Sequence, residues 1–324
     1  MMTVEHGDIL DRVKARDSLA CGRLMSWAEK GDPRFAEVHR DLATLLGQGK
    51  RVGVTGPAGV GKSSLVEGLL VHWRKAGLNL GVVAIDPTSP FSGGALLGDR
   101  VRMPSASLDS GVFIRSMGTR GALGGLARAT DDVVDVLDAA GSDMVCIETV
   151  GAGQNEVEIA RSADVTVVVL QPGSGDGVQA MKAGLLEAAD IFVVNKSDLS
   201  GAERLVGDLS EMLEMRPTSD SQPAILSTVA SEGEGVDDLA SAIEGWLDDA
   251  ESTGRLAERR RVAFNLRVQR LVNSWSPQTD WEACGLSDRL KERLAQEEES
   301  CSAYEVAQDL LDWTAKAGDS GENS

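Results

Sequence analysis

Short apolar runs recur through the middle of this chain, and they limit its fold more than any other feature. They are Val52–Val54, Leu80–Ile85, Val112–Ile114, Met144–Ile147, Val165–Leu170 and Ile191–Val194, with a shorter one at Ala224–Leu226. Longer stretches of helical character separate them. Continuous Val/Ile runs predict strands buried on both faces. Such strands need helices on both sides, so the pattern predicts an α/β fold built on a mainly parallel sheet. Loops then gather beyond the C-terminal strand ends, where such folds bind ligands. Hydrophobic residues make up 42% of the 324, but aromatics only 4%, so the core has to rely on Val, Leu, Ile and Ala.

Three zones follow, with expected extents 1–48, 49–248 and 249–324. The first is polar and helix-rich. Phe35, Val38, Leu42 and Leu45 recur there at helical spacing, as in a packing helix without chemistry. The last zone is helical again. Arg255 to Arg270 carries six arginines against one glutamate, in a chain of net charge −19. Phe264, Val268, Leu271 and Trp275 fall on one face of that helix. A basic helix of this kind serves as a solvated face, a nucleic-acid contact or a docking surface for a second subunit. The sequence leaves these open and favours docking. The closing GDSGENS reads as a disordered tail.

The charge balance, with a pI of about 4.6, repels phosphate backbones and anionic lipid, so neither nucleic acid nor a membrane is an expected partner. Cys21, Cys146, Cys284 and Cys301 are scattered, without a CxxC pair, which fits a reduced compartment better than a disulfide scaffold or zinc site. The first residues lack an apolar signal core, and no run approaches the ~18 apolar residues of a membrane helix. A soluble, cytoplasmic protein is expected.

Against that negative background stands GPAGVGKSS: Gly56, Pro57, Ala58, Gly59, Val60, Gly61, Lys62, Ser63 and Ser64. It matches G-x-x-x-x-G-K-[ST] in full, after a predicted strand and before a predicted helix, which is the context a phosphate-binding loop requires. Its glycines let backbone N–H groups turn inward, and the helix N-terminus adds positive potential. Lys62 supplies a charge to the outer phosphates, and Ser63 a hydroxyl for Mg2+. Asn195-Lys196-Ser197-Asp198 closes a later strand as N-K-x-D. A carboxylate there accepts two hydrogen bonds from guanine N1–H and the 2-amino group. Adenine has neither and would leave Asp198 unpaired. GTP is therefore expected rather than ATP. Val229 and Ala230, after the strand at Ala224–Leu226, are expected to offer backbone N–H groups to the guanine oxygen.

Glu148 ends the strand before Val150-Gly151 and suits a magnesium shell, directly or through water. Gly151 could set its N–H against the γ-phosphate. Asp86 and Asp99 are further acidic candidates, each also readable as a turn or cap residue.

Five ordered stretches, IDPTSPFSGGALLGDRVRM, SMGTRGALGGLA, ETVGAGQNE, QPGSGDGVQAMKAG and NKSD, resemble the motif series of the MeaB/ArgK family. These are methylmalonyl-CoA mutase-associated GTPases of the SIMIBI class of P-loop proteins. The resemblance covers the central zone and, more loosely, both flanks. It implies a P-loop GTPase domain with helical extensions at each end, binding GTP or GDP with Mg2+. It implies slow hydrolysis alone and faster hydrolysis with an adenosylcobalamin-dependent acyl-CoA mutase, whose cofactor loading the protein gates and which it protects from inactivation. On this resemblance Asp86, Asp99 and Glu148 surround the magnesium, and Gln154 lies in a mobile switch. Gln171 to Lys182 forms a third switch that senses the mutase, Lys182 takes part in activated hydrolysis, and the C-terminal zone makes a homodimer. A cation brought to the phosphates by a partner would stabilise transition-state charge. Taken from sequence alone, Lys182 also reads as a surface lysine and Gln154 as a solvated loop residue. Two departures stand out. Gly177 sits where relatives often carry an acid, and Val229 where many GTPases place Ser.

Other functions fit parts of the pattern. A nickel-insertion GTPase needs His-rich or paired-Cys clusters, whereas His6, His39 and His72 lie far apart. A P-loop kinase of the amino-acid transport type conflicts with the guanine motif. The acidic residues argue against a non-hydrolysing GTP-binding scaffold, which slow turnover would resemble.

Overall fold

The computed structural model describes residues 2–86, 103, 106–118, 125–149, 162–173, 187, 189–215, 222–295 and 301–321. Its elements run α1 (Met2–Lys14), α2 (Ser18–Lys30), α3 (Pro33–Ala43), β1 (Lys50–Thr55), α4 (Lys62–Lys75), β2 (Leu80–Asp86), a 3-10 turn (Ala106–Leu108), β3 (Val112–Gly118), α5 (Gly125–Ala139) and β4 (Met144–Glu148). They continue with β5 (Val165–Leu170), β6 (Ile191–Asn195), α6 (Ala202–Glu214), β7 (Ala224–Thr228), α7 (Val236–Ser252), α8 (Arg255–Trp275), α9 (Leu286–Ala295) and α10 (Ala303–Gly321). Two compact units emerge. One joins Met1–Gln48, Arg128–Gly141 and Ala257–Ser324; the other joins Gly49–Ala127 and Ser142–Leu256.

The second unit holds one seven-stranded sheet in the order β3-β2-β4-β1-β5-β6-β7, with every pairing parallel. Both faces are covered, as the Val/Ile runs demand. Val165, Val167, Val169, Ile191 and Val193 pack in one cluster with Leu65, Leu69 and Trp73 of α4 and with Leu239 and Ile243 of α7. The alternate residues Val168, Leu170, Phe192 and Val194 pack instead with Leu209 and Leu213 of α6. The period-2 geometry of a strand sends neighbouring residues to opposite faces, and here each face has its own helices. Strand β1 lies inside the sheet between β4 and β5: its own crossover through α4 runs to β2 on one side, and the later connection from β4 runs to β5 on the other. That switch point opens a crevice at the C-terminal strand ends.

The first unit is helical. Asp17 caps α2 by accepting the N–H groups of Leu19 and Ala20, and Asp32 caps α3, with Pro33 at its first turn. Phe35, Val38 and Leu42 are buried as expected, but α3 ends at Ala43, so Leu45 falls in the following turn. Val268 and Leu271 of α8 pack with Leu286, Leu290, Val306 and Leu310, while Trp275 stays 39% exposed. Helix α10 runs to Gly321, into the stretch expected to be disordered.

The basic charge of α8 is largely spent within the chain. Arg267 pairs with Asp132 and Asp135 at 2.6 Å each, Arg270 with Asp131 at 2.8 Å, and Arg261 with Glu258 at 2.6 Å. Arg260 donates to the Gly47 carbonyl at 3.0 Å, and Arg255 pairs with Asp249. The charge inversion thus gives no independent support for docking on a second subunit. Among the described residues no helix is long and apolar enough to cross a membrane.

Candidate functional site

The loop from Gly56 to Gly61 joins β1 to α4, and its shape is forced by its neighbours. Gly56 has φ +139°, and a β-carbon there would lie 2.1 Å from the Val169 carbonyl oxygen of β5. Gly61 has φ +96°, and a β-carbon there would lie 2.3 Å from Asn195 Nδ2. Only glycine fits either position. The Lys62 ammonium is buried over this loop and donates to the carbonyls of Gly56 at 2.7 Å and Pro57 at 2.8 Å. A cation so placed is ready for phosphate oxygens.

Ser63, in the first turn of α4, donates its hydroxyl to Glu148 Oε1 at 2.6 Å. The pairing of Val54 with Glu148 in the β1–β4 ladder places that carboxylate at the same sheet edge. Next in sequence, Thr149 donates its hydroxyl to Thr55 Oγ1 at 3.0 Å and its N–H to the Val54 carbonyl at 3.1 Å. Ser63 and Glu148 are hard oxygen donors of the type Mg2+ prefers, so the donor set fits that ion. Beside them Cys146 is inert. Burial pushes its thiol up to about 12, and the nearby Glu148 charge adds to the rise.

The N-K-x-D segment is bolted to the phosphate loop. Asn195, buried at the end of β6, donates from Nδ2 to the Val60 carbonyl at 2.7 Å. Its Oδ1 accepts the Thr228 hydroxyl and the Ala230 N–H, both at 3.0 Å. Lys196 adopts φ +56° and donates from Nζ to the Gly59 carbonyl at 2.9 Å. Asp198 is exposed. The backbone donors expected to meet guanine are engaged elsewhere: Val229 N–H bonds the Glu234 carbonyl at 3.0 Å, and Ala230 N–H goes to Asn195. A base bound here has to compete with Asn195 for the Ala230 donor.

Parallel pairing explains the assembly, because parallel strands deliver all their C-terminal ends to one edge. Asp86 ends β2 on that sheet, and its side chain lies outside the described residues. Asp99, Gly151, Gln154, Gly177 and Lys182 also lie outside the described residues. Sequence reasoning passed over Thr55, Thr149 and Thr228. A visible signal existed for the first two: one directly precedes Gly56, and the other directly follows Glu148.

A parallel, doubly covered sheet with a glycine loop between its central strand and the next helix, and an N-K-x-D segment hydrogen-bonded to that loop, defines a P-loop GTPase. A solved structure described as LAO/AO transport system kinase shares the fold, with a TM-score of 0.70 over 96% of this chain and 97% of that one, at 22% identity. The family model described as "Methylmalonyl Co-A mutase-associated GTPase MeaB" matches residues 21–282, and the chain belongs to that family. Its relatives include a protein of Pyrococcus abyssi named as a GTPase, 46% identical over 272 residues, with 82% of this chain and 83% of that one covered. They also include the mouse methylmalonic aciduria type A homolog, a mitochondrial protein, 35% identical over 237 residues, with 70% of this chain and 57% of that one covered.

Proposed function

We propose that this protein is a GTP-dependent chaperone of an adenosylcobalamin-dependent acyl-CoA mutase, with methylmalonyl-CoA mutase as the first candidate. The partner is suggested by the family's description and by the mouse relative's name. The geometry that carries the nucleotide reading is the Asn195 junction, 2.7 Å from Val60, which holds the base-reading segment and the phosphate loop in one register. In this reading Asp198 accepts the guanine N1–H and 2-amino hydrogens, and Lys62 neutralises charge on the outer phosphates. Ser63 and Glu148 would hold Mg2+, with Asp86 and Asp99 as further acidic candidates for its site. Bound Mg2+ would neutralise phosphate charge. The same reading assigns the Gly151 N–H to the γ-phosphate and Gln154 to orienting the attacking water. Lys182 reaches the phosphates once the mutase is engaged. The protein acts in the cytoplasm, as a homodimer.

A switch does work only if its partner binds the GTP and GDP states differently. The test is phosphate release from GTP by the purified protein, alone and with cobalamin-dependent mutases, beside Lys182→Ala. Acceleration by one mutase, lost in the variant, supports the reading and names the partner. Tight GTP binding without acceleration by any mutase overturns the chaperone role.

A further inference from the structure

We propose that Thr55 and Thr149 are positioning residues that set the phosphate loop and Glu148 at a working distance from one another. The proposal rests on the reading of Glu148 as a magnesium-side carboxylate. Both hydroxyls are buried, Thr55 at 0% and Thr149 at 3% exposure, and they meet at 3.0 Å. Their surroundings are strands rich in valine, and valine has the same shape as threonine without a hydroxyl to desolvate. Packing alone would be served by two valines. A hydroxyl pair adds direction, because its hydrogen bond is lost when the strand ends slide.

The pair also sits where direction matters. Thr55 is the last residue of β1 and hands the chain to Gly56. Thr149 is the first residue past β4 and follows Glu148. The ladder between these strands ends at Val54 and Glu148, so the hydroxyl bond and the Thr149 N–H bond to Val54 extend the pairing one step beyond it. Glu148 is thus held from two sides, by Ser63 at 2.6 Å and through its own neighbour. Mg2+ demands near-octahedral geometry at roughly 2.0–2.1 Å, so small shifts of this carboxylate matter.

The test compares Thr149→Val, Thr149→Ser, Thr55→Val and the double valine variant with Glu148→Gln. A fluorescent GTP analogue reports the Mg2+ concentration at half-effect on binding, and GDP affinity is measured in EDTA. Thr149→Val is expected to raise the Mg2+ requirement about tenfold and to leave metal-free GDP affinity within about twofold, while Thr149→Ser restores the requirement. Thr55→Val strands the Thr149 hydroxyl and shifts the requirement likewise. The double variant keeps the shape and leaves no hydroxyl unpaired, so it folds even where a single variant does not, and it still shows the raised requirement. A double variant or Thr149→Val with the wild-type requirement, beside a Glu148→Gln that needs more Mg2+, overturns the positioning role and leaves the site reading standing. An unchanged requirement in Glu148→Gln overturns both.

Discussion

At the scale of single residues, the site is a set of steric and hydrogen-bonding choices that leave little room for exchange. Gly61 is held at φ +96°, where a β-carbon would meet the Asn195 amide nitrogen at 2.3 Å. Gly61→Ala is therefore expected to force the loop and Asn195 apart, costing about 1–3 kcal/mol in strain. Calorimetric melting and GTP titration should show both a lowered Tm and weakened binding; wild-type values for both would contradict the geometry. Asp198 carries a different kind of choice, since in the proposed reading its exposed carboxylate pairs with guanine N1–H and the 2-amino group, which adenine lacks. Asp198→Asn turns one acceptor into a donor. GTP affinity is expected to fall by about 1–3 kcal/mol, with xanthosine triphosphate, whose 2-oxo group accepts that donor, gaining affinity. Competition binding with the two nucleotides decides it. At this scale the sequence was explicit about the loop and Asn195. It was silent about the engagement of the Ala230 N–H by Asn195, because a hydrogen bond between β7's exit and β6's end has no trace in linear spacing.

Elements raise a different question, how a helical unit holds itself together around buried charge. Helix α5 presents Asp131, Asp132, Asp135 and Asp138, all buried, to other members of the first unit. Arg267 of α8 offers one positive charge to both Asp132 and Asp135, and His39 of α3 lies 2.9 Å from Asp135 and 2.8 Å from Ser302 Oγ. Tyr304 of α10 donates to Asp132 at 2.6 Å. Arg267→Met would leave two buried carboxylates without their cation, at a cost of about 3–5 kcal/mol. Urea unfolding followed by circular dichroism measures that loss, and a change under about 1 kcal/mol would refute the account. Burial raises the Asp132 carboxyl above its ordinary value, against the pull of Arg267, His39 and Tyr304. The folded state therefore keeps this proton where the unfolded chain has released it. Its stabilising contribution is full below the unfolded value of 3.8 and is lost as pH rises through the raised folded value. Asp132→Asn should remove that fall from a pH series of unfolding free energies, and an identical slope in the variant would count against it. None of this was legible beforehand. His39 reads in sequence as one of three scattered histidines, and its partners lie 96 and 263 residues away.

For the whole molecule, the question is what the charge does. A net −19 is a statement about solubility and partners, not about fold. The arginines of α8 seemed to reserve a basic surface for a second subunit, yet Arg261, Arg267 and Arg270 are paired with acids of the same chain. If the protein is a homodimer, its interface is then held by something other than this charge. Its mass by light scattering is expected to stay constant from roughly 0.05 to about 0.5 M salt, over which exposed charges are progressively screened. Dissociation with rising salt would restore an electrostatic interface. Here the line between the two sources of knowledge is clear. The sequence alone determined the parallel sheet, the glycine loop and the N-K-x-D segment at a strand end, because strand burial and tight backbone turns are written in local composition and short spacing. Only the tertiary structure decided that Asn195 clamps Val60, that Thr149 meets Thr55, and that the basic helix spends its charge on α5. Those contacts join residues 94 to 139 positions apart, whose meeting depends on strand order and helix packing rather than on any local pattern.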